Sequence, residues 1–271
     1  MSRLPFFALW LYLAAGPCWA VDAPLAPKAQ LFLIGGAADR VLAEYARLAG
    51  GAHAHVVIVP WASQMAAESG RAVQTALNKL GVAQVSVLPP GAAALPAGTT
   101  GLYFSGGDQS RLVTLMKPEL VASLSDFTGI IGGSSAGAMA ASADMITGGM
   151  ATPHGKNAES QDLGLAKGLG LLPGIIVDTH VGQRGRDVRL VAALAKVQAA
   201  RAAVGLDEDT AIYISDLATR HATVYGAGYI RVYERGPQFA VETHDESSKG
   251  KPSVRGLKET MLRAGSEITL P

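Results

Sequence analysis

Short apolar runs alternate with stretches of helical spacing along the chain, and this alternation limits the possible folds most. Continuous apolar strands separated by helices are typical of a mostly parallel sheet covered on both faces. The pattern therefore predicts one α/β domain. The predicted strands are 30–34, 55–59, 85–88, 101–104, 129–131, 175–177 and 211–214. The predicted helices are 37–48, 66–80, 108–116, 135–143 and 187–200. Two further strands, 223–225 and 229–233, are predicted to form a hairpin around Gly226–Gly228.

Composition excludes several classes of protein. The 271 residues include 23 Lys and Arg against 22 Asp and Glu, so no basic excess exists to neutralise a nucleic-acid backbone. Nearly half of the residues are hydrophobic, which argues against a disordered chain. No linker divides residues 21–271, which we therefore expect to form a single domain.

The first 20 residues have the pattern of a secretory signal peptide. Arg3 precedes the apolar run Leu4–Ala15, and small residues follow up to Ala20, where we expect cleavage. The alternatives are a buried N-terminal helix and lipidation of Cys18. Cleavage implies a periplasmic or secreted protein with no remaining membrane span. It also removes the only cysteine, which excludes disulfides and cysteine-based zinc sites.

Polar residues directly after apolar runs are the candidates for a functional site, because ligands bind at the carboxyl ends of strands in such sheets. Gly133-x-Ser135-x-Gly137 lies between a predicted strand and a predicted helix. This spacing is typical of a nucleophile elbow, in which a serine occupies a sharp turn and points its hydroxyl outward. The alternative is a glycine-rich turn that only joins two elements or binds phosphate.

A serine nucleophile needs a base, and His180 is the one histidine that directly follows an apolar strand. His53 and His55 lie at the start of a strand, where a solvated entry is favoured over a metal site. The orienting acid is expected from the turn after residue 206, where Glu208 and Asp207 both remain candidates. The base is expected to act as a neutral imidazole, so that activity falls below its pKa.

Three arginines follow the candidate base. Arg184, Arg186 and Arg189 carry guanidinium groups that bind carboxylates in bidentate fashion and suggest a pocket for an acidic group. The alternative is a solvated basic helix start that pairs with Asp187.

Taken together, the motifs resemble the cyanophycinase branch of serine peptidase family S51, which also contains aspartyl dipeptidase. The matching segments run in family order over about 180 residues. They are 105–112 (SGGDQSRL), 132–138 (GGSSAGA), 168–173 (GLGLLP), 177–180 (VDTH) with its arginines, and 205–211 (GLDEDTA).

The resemblance implies a three-layer α/β/α sandwich like that of class I glutamine amidotransferases. It also implies a serine exopeptidase that cuts cyanophycin, a poly-aspartate chain with arginine on each β-carboxyl, into β-Asp-Arg dipeptides without a metal or organic cofactor. The implied roles are nucleophile for Ser135, base for His180, orienting acid for Glu208, oxyanion hole for the amides of Gly107 and Ala136, and substrate binding for Gln109, Asp178, Arg184, Arg186 and Arg189.

One residue departs from the family pattern. Cyanophycinases usually carry Gln where this chain has Thr179, which removes an amide from the region of the pocket. Two other functions are therefore considered beside cyanophycin cleavage. They are a dipeptidase for peptides with an N-terminal Asp and a non-catalytic periplasmic binding protein. The expected partner is an acidic peptide, and a homodimer is left open.

Overall fold

The computed structural model describes residues 29–38, 40–149, 163–243 and 252–271. The predicted signal peptide lies outside these residues, and so does the polar segment 244–251. Among the described residues, no helix has the length and apolar character needed to cross a bilayer.

The main sheet has eight strands, and five of them are parallel to one another. The other three extend the sheet on one side in antiparallel order. The strands, in their order across the sheet, are β14 (Glu267–Thr269), β11 (His221–Gly226), β10 (Thr210–Asp216), β1 (Gln30–Ile34), β5 (Ile130–Ser134), β4 (Gly101–Phe104), β2 (His55–Val59) and β3 (Gln84–Val87).

A second sheet of four strands, which the sequence did not predict, lies beside the main sheet. Its order is β13 (Pro252–Arg263), β12 (Tyr229–Thr243), β9 (Ala202–Leu206) and β8 (Ile175–Thr179), and only β8 and β9 are parallel. The strand that precedes His180 is therefore an edge strand, although all five of its residues are buried. A small antiparallel pair, β6 (Asp144–Gly148) and β7 (Gly164–Lys167), completes the strands described.

All five predicted helices are present among the described residues, each shorter than predicted, together with two short helices that the sequence did not predict. They are α1 (Leu42–Leu48), α2 (Ala66–Lys79), α3 (Gln109–Leu115), α4 (Pro118–Ser123), α5 (Ala136–Met139), α6 (Val181–Arg184) and α7 (Asp187–Lys196), with a 3-10 turn at Gly51–His53. Helix α1 begins at Leu42, five residues later than predicted, and Ala37, at the predicted start, has a φ of 42°, which lies outside the helical range. Helix α5 stops after one turn because the carbonyls of Ala140 and Ala141 accept hydrogen bonds from the distant Leu169 and Leu172.

The core follows the two-residue period of the strands. In β1, Leu31 and Leu33 join one buried cluster, whereas Phe32 and Ile34 join another on the opposite face together with residues of α1 and α2. The first cluster also contains side chains of β8, β9 and β12, so the two sheets share it. The predicted α/β class with a large, mostly parallel sheet covered on both faces is thus confirmed.

The predicted hairpin around Gly226–Gly228 is wrong. Both strands exist, but β11 pairs with β10 and β14 in the main sheet, whereas β12 pairs with β9 and β13 in the second sheet. The turn marks the point where the chain passes from one sheet to the other.

Candidate active site

Ser135 lies on a strained bend between β5 and α5. Its φ of 53° and ψ of −114° are rare for a residue with a side chain, and such strain persists where the surroundings enforce it. The two glycines of the motif make the bend possible. A Cβ on Gly133 would lie 2.5 Å from the carbonyl carbon of Gly137, and one on Gly137 would lie 2.4 Å from the carbonyl oxygen of Phe104.

His180 follows β8 and reaches the serine. Its backbone adopts the left-handed conformation, with φ 55° and ψ 34°, and its N–H donates to the carbonyl of Gly35. Nε2 of the ring lies 2.8 Å from Oγ of Ser135, and Nδ1 lies 2.6 Å from Oε1 of Glu208. The structure therefore brings the three residues into one continuous hydrogen-bonded chain, whose members come from both sheets.

The two acids that the sequence left open have different surroundings. Glu208 faces His180, and its backbone N–H donates to the side-chain oxygen of Gln183 at 3.0 Å. Asp207 is nearly buried and forms an ion pair of 2.6 Å with Arg231. Its carboxylate also accepts from the amides of Gly182 and Tyr229. Asp207 is thus committed to structure, and Glu208 is the acid in contact with the histidine.

The surroundings of His180 lower the pKa of its imidazole. Burial of the ring is the largest cause that lowers the pKa of His180 below its usual value of 6.5. The hydrogen bond that the ring donates to Glu208 opposes this effect, and the nearby cations Arg184 and Arg186 add to it. Neutral imidazole can accept a proton from a hydroxyl, whereas imidazolium cannot. The ring is therefore able to act as a base at neutral pH.

The two residues whose amides the family resemblance implies for an oxyanion hole are neighbours of the serine, since Gly107 lines the same cavity as Ser135 and Ala136 follows it in the chain. Gly107 follows β4 with a φ of 141°, and a Cβ there would lie 2.3 Å from the carbonyl oxygen of Ala62. Ala136 is the first residue of α5. Within the described residues, neither amide donates a hydrogen bond to another backbone group. Both are thus available to an oxygen atom bound near Oγ of Ser135.

A cavity of about 220 Å³ opens beside Ser135. Its lining consists of Gly107, Asp108, Gln109, Ser135, Met139, Thr147, Gly148, Arg184, Arg186 and Arg189. All three predicted arginines thus reach one pocket. Gln109 also lines it, although its amide nitrogen donates to the carbonyl of Ile146 at 2.5 Å.

Asp178 does not line this cavity and lies behind its arginine wall instead. Its side chain is fully buried, and it accepts two hydrogen bonds from Arg189, at 2.8 and 2.6 Å. Arg186 lies 3.7 Å from the same carboxylate. The expected contact between Asp178 and substrate stays a prediction, because in this structure its carboxylate is fully buried and accepts hydrogen bonds from Arg189 and from the backbone N–H of Thr179.

The arginine cluster carries excess positive charge. Three arginines line the cavity against one acidic residue of its lining, Asp108, and the buried carboxylate of Asp178 pairs with only two of them, Arg186 and Arg189. Arg186 also has a buried Nε without a hydrogen-bond partner among the described residues. Burial and the neighbouring Arg189 lower the pKa of Arg186 to about 10, so it stays protonated at neutral pH. An anionic ligand would supply the missing partners. Asp187 does not neutralise the cluster, since it pairs with Arg231.

Some residues of the site escaped the sequence reasoning. Gly36 touches the ring of His180, Gln183 holds the backbone of Glu208, and Thr147 and Gly148 line the cavity. Gly36 does follow a strand, but it has no side chain that could mark it as functional. Thr179 is fully buried and lies outside the pocket lining, and its hydroxyl has no hydrogen-bond partner in the described part of the chain.

The described residues do not include a group of three or more His, Cys, Asp or Glu side chains that could hold a metal ion. Nε2 of His55 lies 3.0 Å from Oγ of Ser86, so this histidine has a structural partner.

The sequence also matches a known protein family. Residues 31–221 match the model of peptidase family S51. The chain belongs to peptidase family S51. It is accordingly a hydrolase of the serine-peptidase type, which argues against the non-catalytic alternative.

Curated S51 relatives include several cyanophycinases. The chain is 32% identical over 240 residues to the cyanophycinase of Synechococcus elongatus, covering 81% of this chain and 70% of that protein. It is 28% identical over 261 residues to the cyanophycinase of Geminocystis herdmanii (strain PCC 6308), covering 88% and 92%. A crystal structure of a peptidase from an acI-B1 Actinobacterium superposes with a TM-score of 0.61 at 19% identity, covering 89% and 97% of the two chains. This superposition supports the expected fold of class I glutamine amidotransferases.

Proposed function

We propose that this S51 peptidase is a cyanophycinase-like exopeptidase that releases β-Asp-Arg dipeptides, with Ser135 as nucleophile, His180 as base and Glu208 as orienting acid. The observation that carries the proposal is the hydrogen-bonded chain from Oγ of Ser135 through the imidazole to Oε1 of Glu208. The cyanophycinases at about 30% identity support the substrate class.

In the proposed reaction, Oγ of Ser135 attacks the backbone carbonyl of an aspartyl residue while Nε2 of His180 accepts the hydroxyl proton. Glu208 holds the Nδ1 proton and stabilises the imidazolium that forms. The amides of Gly107 and Ala136 donate to the oxyanion of the tetrahedral intermediate. The imidazolium then protonates the leaving amine, and water, activated by the same base, hydrolyses the acyl-enzyme.

The cavity beside Ser135 suits the substrate in charge. In cyanophycin each side-chain arginine is attached through its α-amino group, so its α-carboxylate stays free. The pocket contains three guanidinium groups with one buried counter-ion behind them, which favours such a carboxylate.

A second candidate substrate is a dipeptide with an N-terminal Asp. The small size of the cavity, about 220 Å³, favours this alternative, because one aspartyl side chain could occupy the arginine-lined pocket. The protein should be incubated separately with insoluble cyanophycin and with a series of Asp-X dipeptides, and the products analysed by mass spectrometry. β-Asp-Arg released from the polymer supports the first substrate. Cleavage of Asp-X alone would replace it with the second, and no product from either would refute both.

We also propose that the mature enzyme begins after Ala20 and works in the periplasm or outside the cell. The apolar run Leu4–Ala15 and the small residues after it support this proposal. N-terminal sequencing of protein recovered from a cell fraction outside the cytoplasm tests it. An intact Met1 in all of the active protein would contradict it.

A further inference from the structure

Three consecutive carbonyl groups at the end of β1 hold the three segments that carry the candidate active-site residues. The carbonyl of Ile34 accepts from the N–H of Ser135 at 3.0 Å. The carbonyl of Gly35 accepts from His180 at 2.9 Å, and that of Gly36 accepts from Asp209, the residue after Glu208, at 2.7 Å. The end of β1 is thus the backbone element that the serine, histidine and glutamate segments share.

Gly36 also touches the ring of the histidine. A Cβ built on Gly36 would lie 2.1 Å from Cε1 of His180 and 2.7 Å from each ring nitrogen. These three ring atoms are the nearest neighbours of that position. The ring is largely buried, so it cannot retreat into solvent without giving up its present contacts. Since Cε1 lies between the two nitrogens, a displacement of this edge moves both hydrogen bonds of the ring.

We propose that Gly36 is a positioning residue for the reaction, and that its lack of a side chain sets where the imidazole of His180 lies between Ser135 and Glu208. The functional part of this inference depends on the proposed role of His180 as base. The contact between Gly36 and the ring can be tested without that role.

The chain offers a matched control for the backbone conformation of this glycine. Gly36 has a φ of 115° and Gly50 has a φ of 116°, so an alanine is strained by the same positive φ at either position. The surroundings differ, because a Cβ on Gly50 would find its nearest atom at 3.5 Å, which is ordinary van der Waals contact. A comparison of Gly36→Ala with Gly50→Ala therefore isolates the effect of the histidine ring from that of the backbone.

The first test measures steady-state kinetics of both variants. A displacement of about 1 Å in a reacting group costs roughly 100-fold in rate. We expect Gly36→Ala to lose about that factor in kcat, with KM changed by less than about threefold, because the arginine pocket is not touched. Gly50→Ala should keep kcat within about threefold. An equal loss of kcat in both variants would overturn the proposal.

The second test measures thermal stability and needs no activity. Gly36→Ala is introduced into the parent and into a His180→Ala background, and the two decreases in Tm are compared. If the ring is the obstacle, Gly36→Ala lowers Tm in the His180→Ala background only as much as Gly50→Ala lowers it in the parent. If Gly36→Ala alone does not fold, the added His180→Ala substitution restores folding. An equal decrease in both backgrounds, or failure to fold in both, would overturn the proposal. If Ser135→Ala stayed fully active, the proposed reaction would fail while this stability comparison kept its meaning.

Discussion

Oε1 of Glu208 lies 2.6 Å from Nδ1 of His180, and the side-chain oxygen of Gln183 fixes the backbone N–H of the same glutamate. A carboxylate in this position accepts a hydrogen bond from Nδ1–H, which keeps the proton on Nδ1 and leaves Nε2 as the acceptor toward Ser135. The glutamate therefore determines both the tautomer and the orientation of the proposed base. Several testable consequences depend on this contact and on the charges around it.

Glu208→Gln should reduce kcat by roughly 10²- to 10⁴-fold with little change in KM. The amide oxygen can still accept from Nδ1, but no negative charge remains to stabilise the imidazolium in the transition state. Steady-state kinetics on the purified variant measure the effect. Glu44→Gln is the control. Glu44 is a carboxylate of helix α1 that pairs with the neighbouring Arg47, and the pair has no part in the proposed reaction. A Glu208→Gln enzyme with the kcat of the control would exclude Glu208 from the reaction.

The pH dependence of kcat/KM should have an acid limb below pH 6.5, because burial lowers the pKa of His180 beneath that value. The rate falls as the pH decreases through this pKa, since the protonated ring no longer accepts a proton. A rate that stays flat from about pH 8 down to pH 4 would contradict the role of His180.

Two variants should move this acid limb in opposite directions. Arg184→Gln removes a cation that disfavours the imidazolium, so the pKa of His180 rises and the limb moves to higher pH. Glu208→Gln removes a negative charge that favours the imidazolium, so the pKa of His180 falls and the limb moves to lower pH. Arg71→Gln, on the exposed face of α2, is the control and should leave the profile unchanged. If the acid limb moved in the same direction in both variants, a group other than His180 would be responsible for it.

Arg186→Gln should weaken substrate binding more than catalysis. Each hydrogen bond between a charged donor and a carboxylate contributes about 1.5–3 kcal/mol, which corresponds to roughly a 10- to 100-fold increase in KM. The same Arg71→Gln protein serves as the control. KM is measured on cyanophycin and on Asp-X dipeptides. An unchanged KM for both substrates would show that Arg186 does not bind substrate.

Asp178→Asn should destabilise the fold. The carboxylate is fully buried and is the acidic partner of Arg189, which is itself only 4% exposed. Loss of one partner from a buried ion pair costs about 3–5 kcal/mol, because the other charge stays uncompensated. Urea denaturation measures the free energy of unfolding. A loss below about 1 kcal/mol would show that the pocket arginines need no buried counter-ion.

The positions of the site residues along the chain could be predicted because they depend on local patterns. Apolar runs mark the strands, and the carboxyl end of a strand marks where a side chain reaches a ligand. Ser135 and His180 were found in this way. The same local signals could not tell which strands pair. The glycines at Gly226–Gly228 mark a turn, but whether β12 stays beside β11 depends on β9 and β13, which are distant in sequence.

The choice between Asp207 and Glu208 shows the same limit. Both acids lie in one turn, so the local pattern left both as candidates, and the resemblance to family S51 pointed to Glu208. Arg231 on β12 decides the matter by pairing with Asp207, and the position of β12 follows from the second sheet that the sequence did not predict. Gly36 was missed for a related reason, since its contact with the ring of His180 joins residues far apart in the chain.

The most direct test of the central claim is the reaction of the protein with a serine-reactive organophosphonate, followed by intact-mass measurement and peptide mapping. The account predicts one adduct per chain, located at Ser135 and strongly slowed in His180→Ala. The adduct should be absent in Ser135→Ala and retained in Ser134→Ala, because the neighbouring Ser134 is the last residue of β5 and does not line the cavity. No adduct in the parent protein, or one at any other residue, would contradict the assignment of Ser135 as the activated nucleophile.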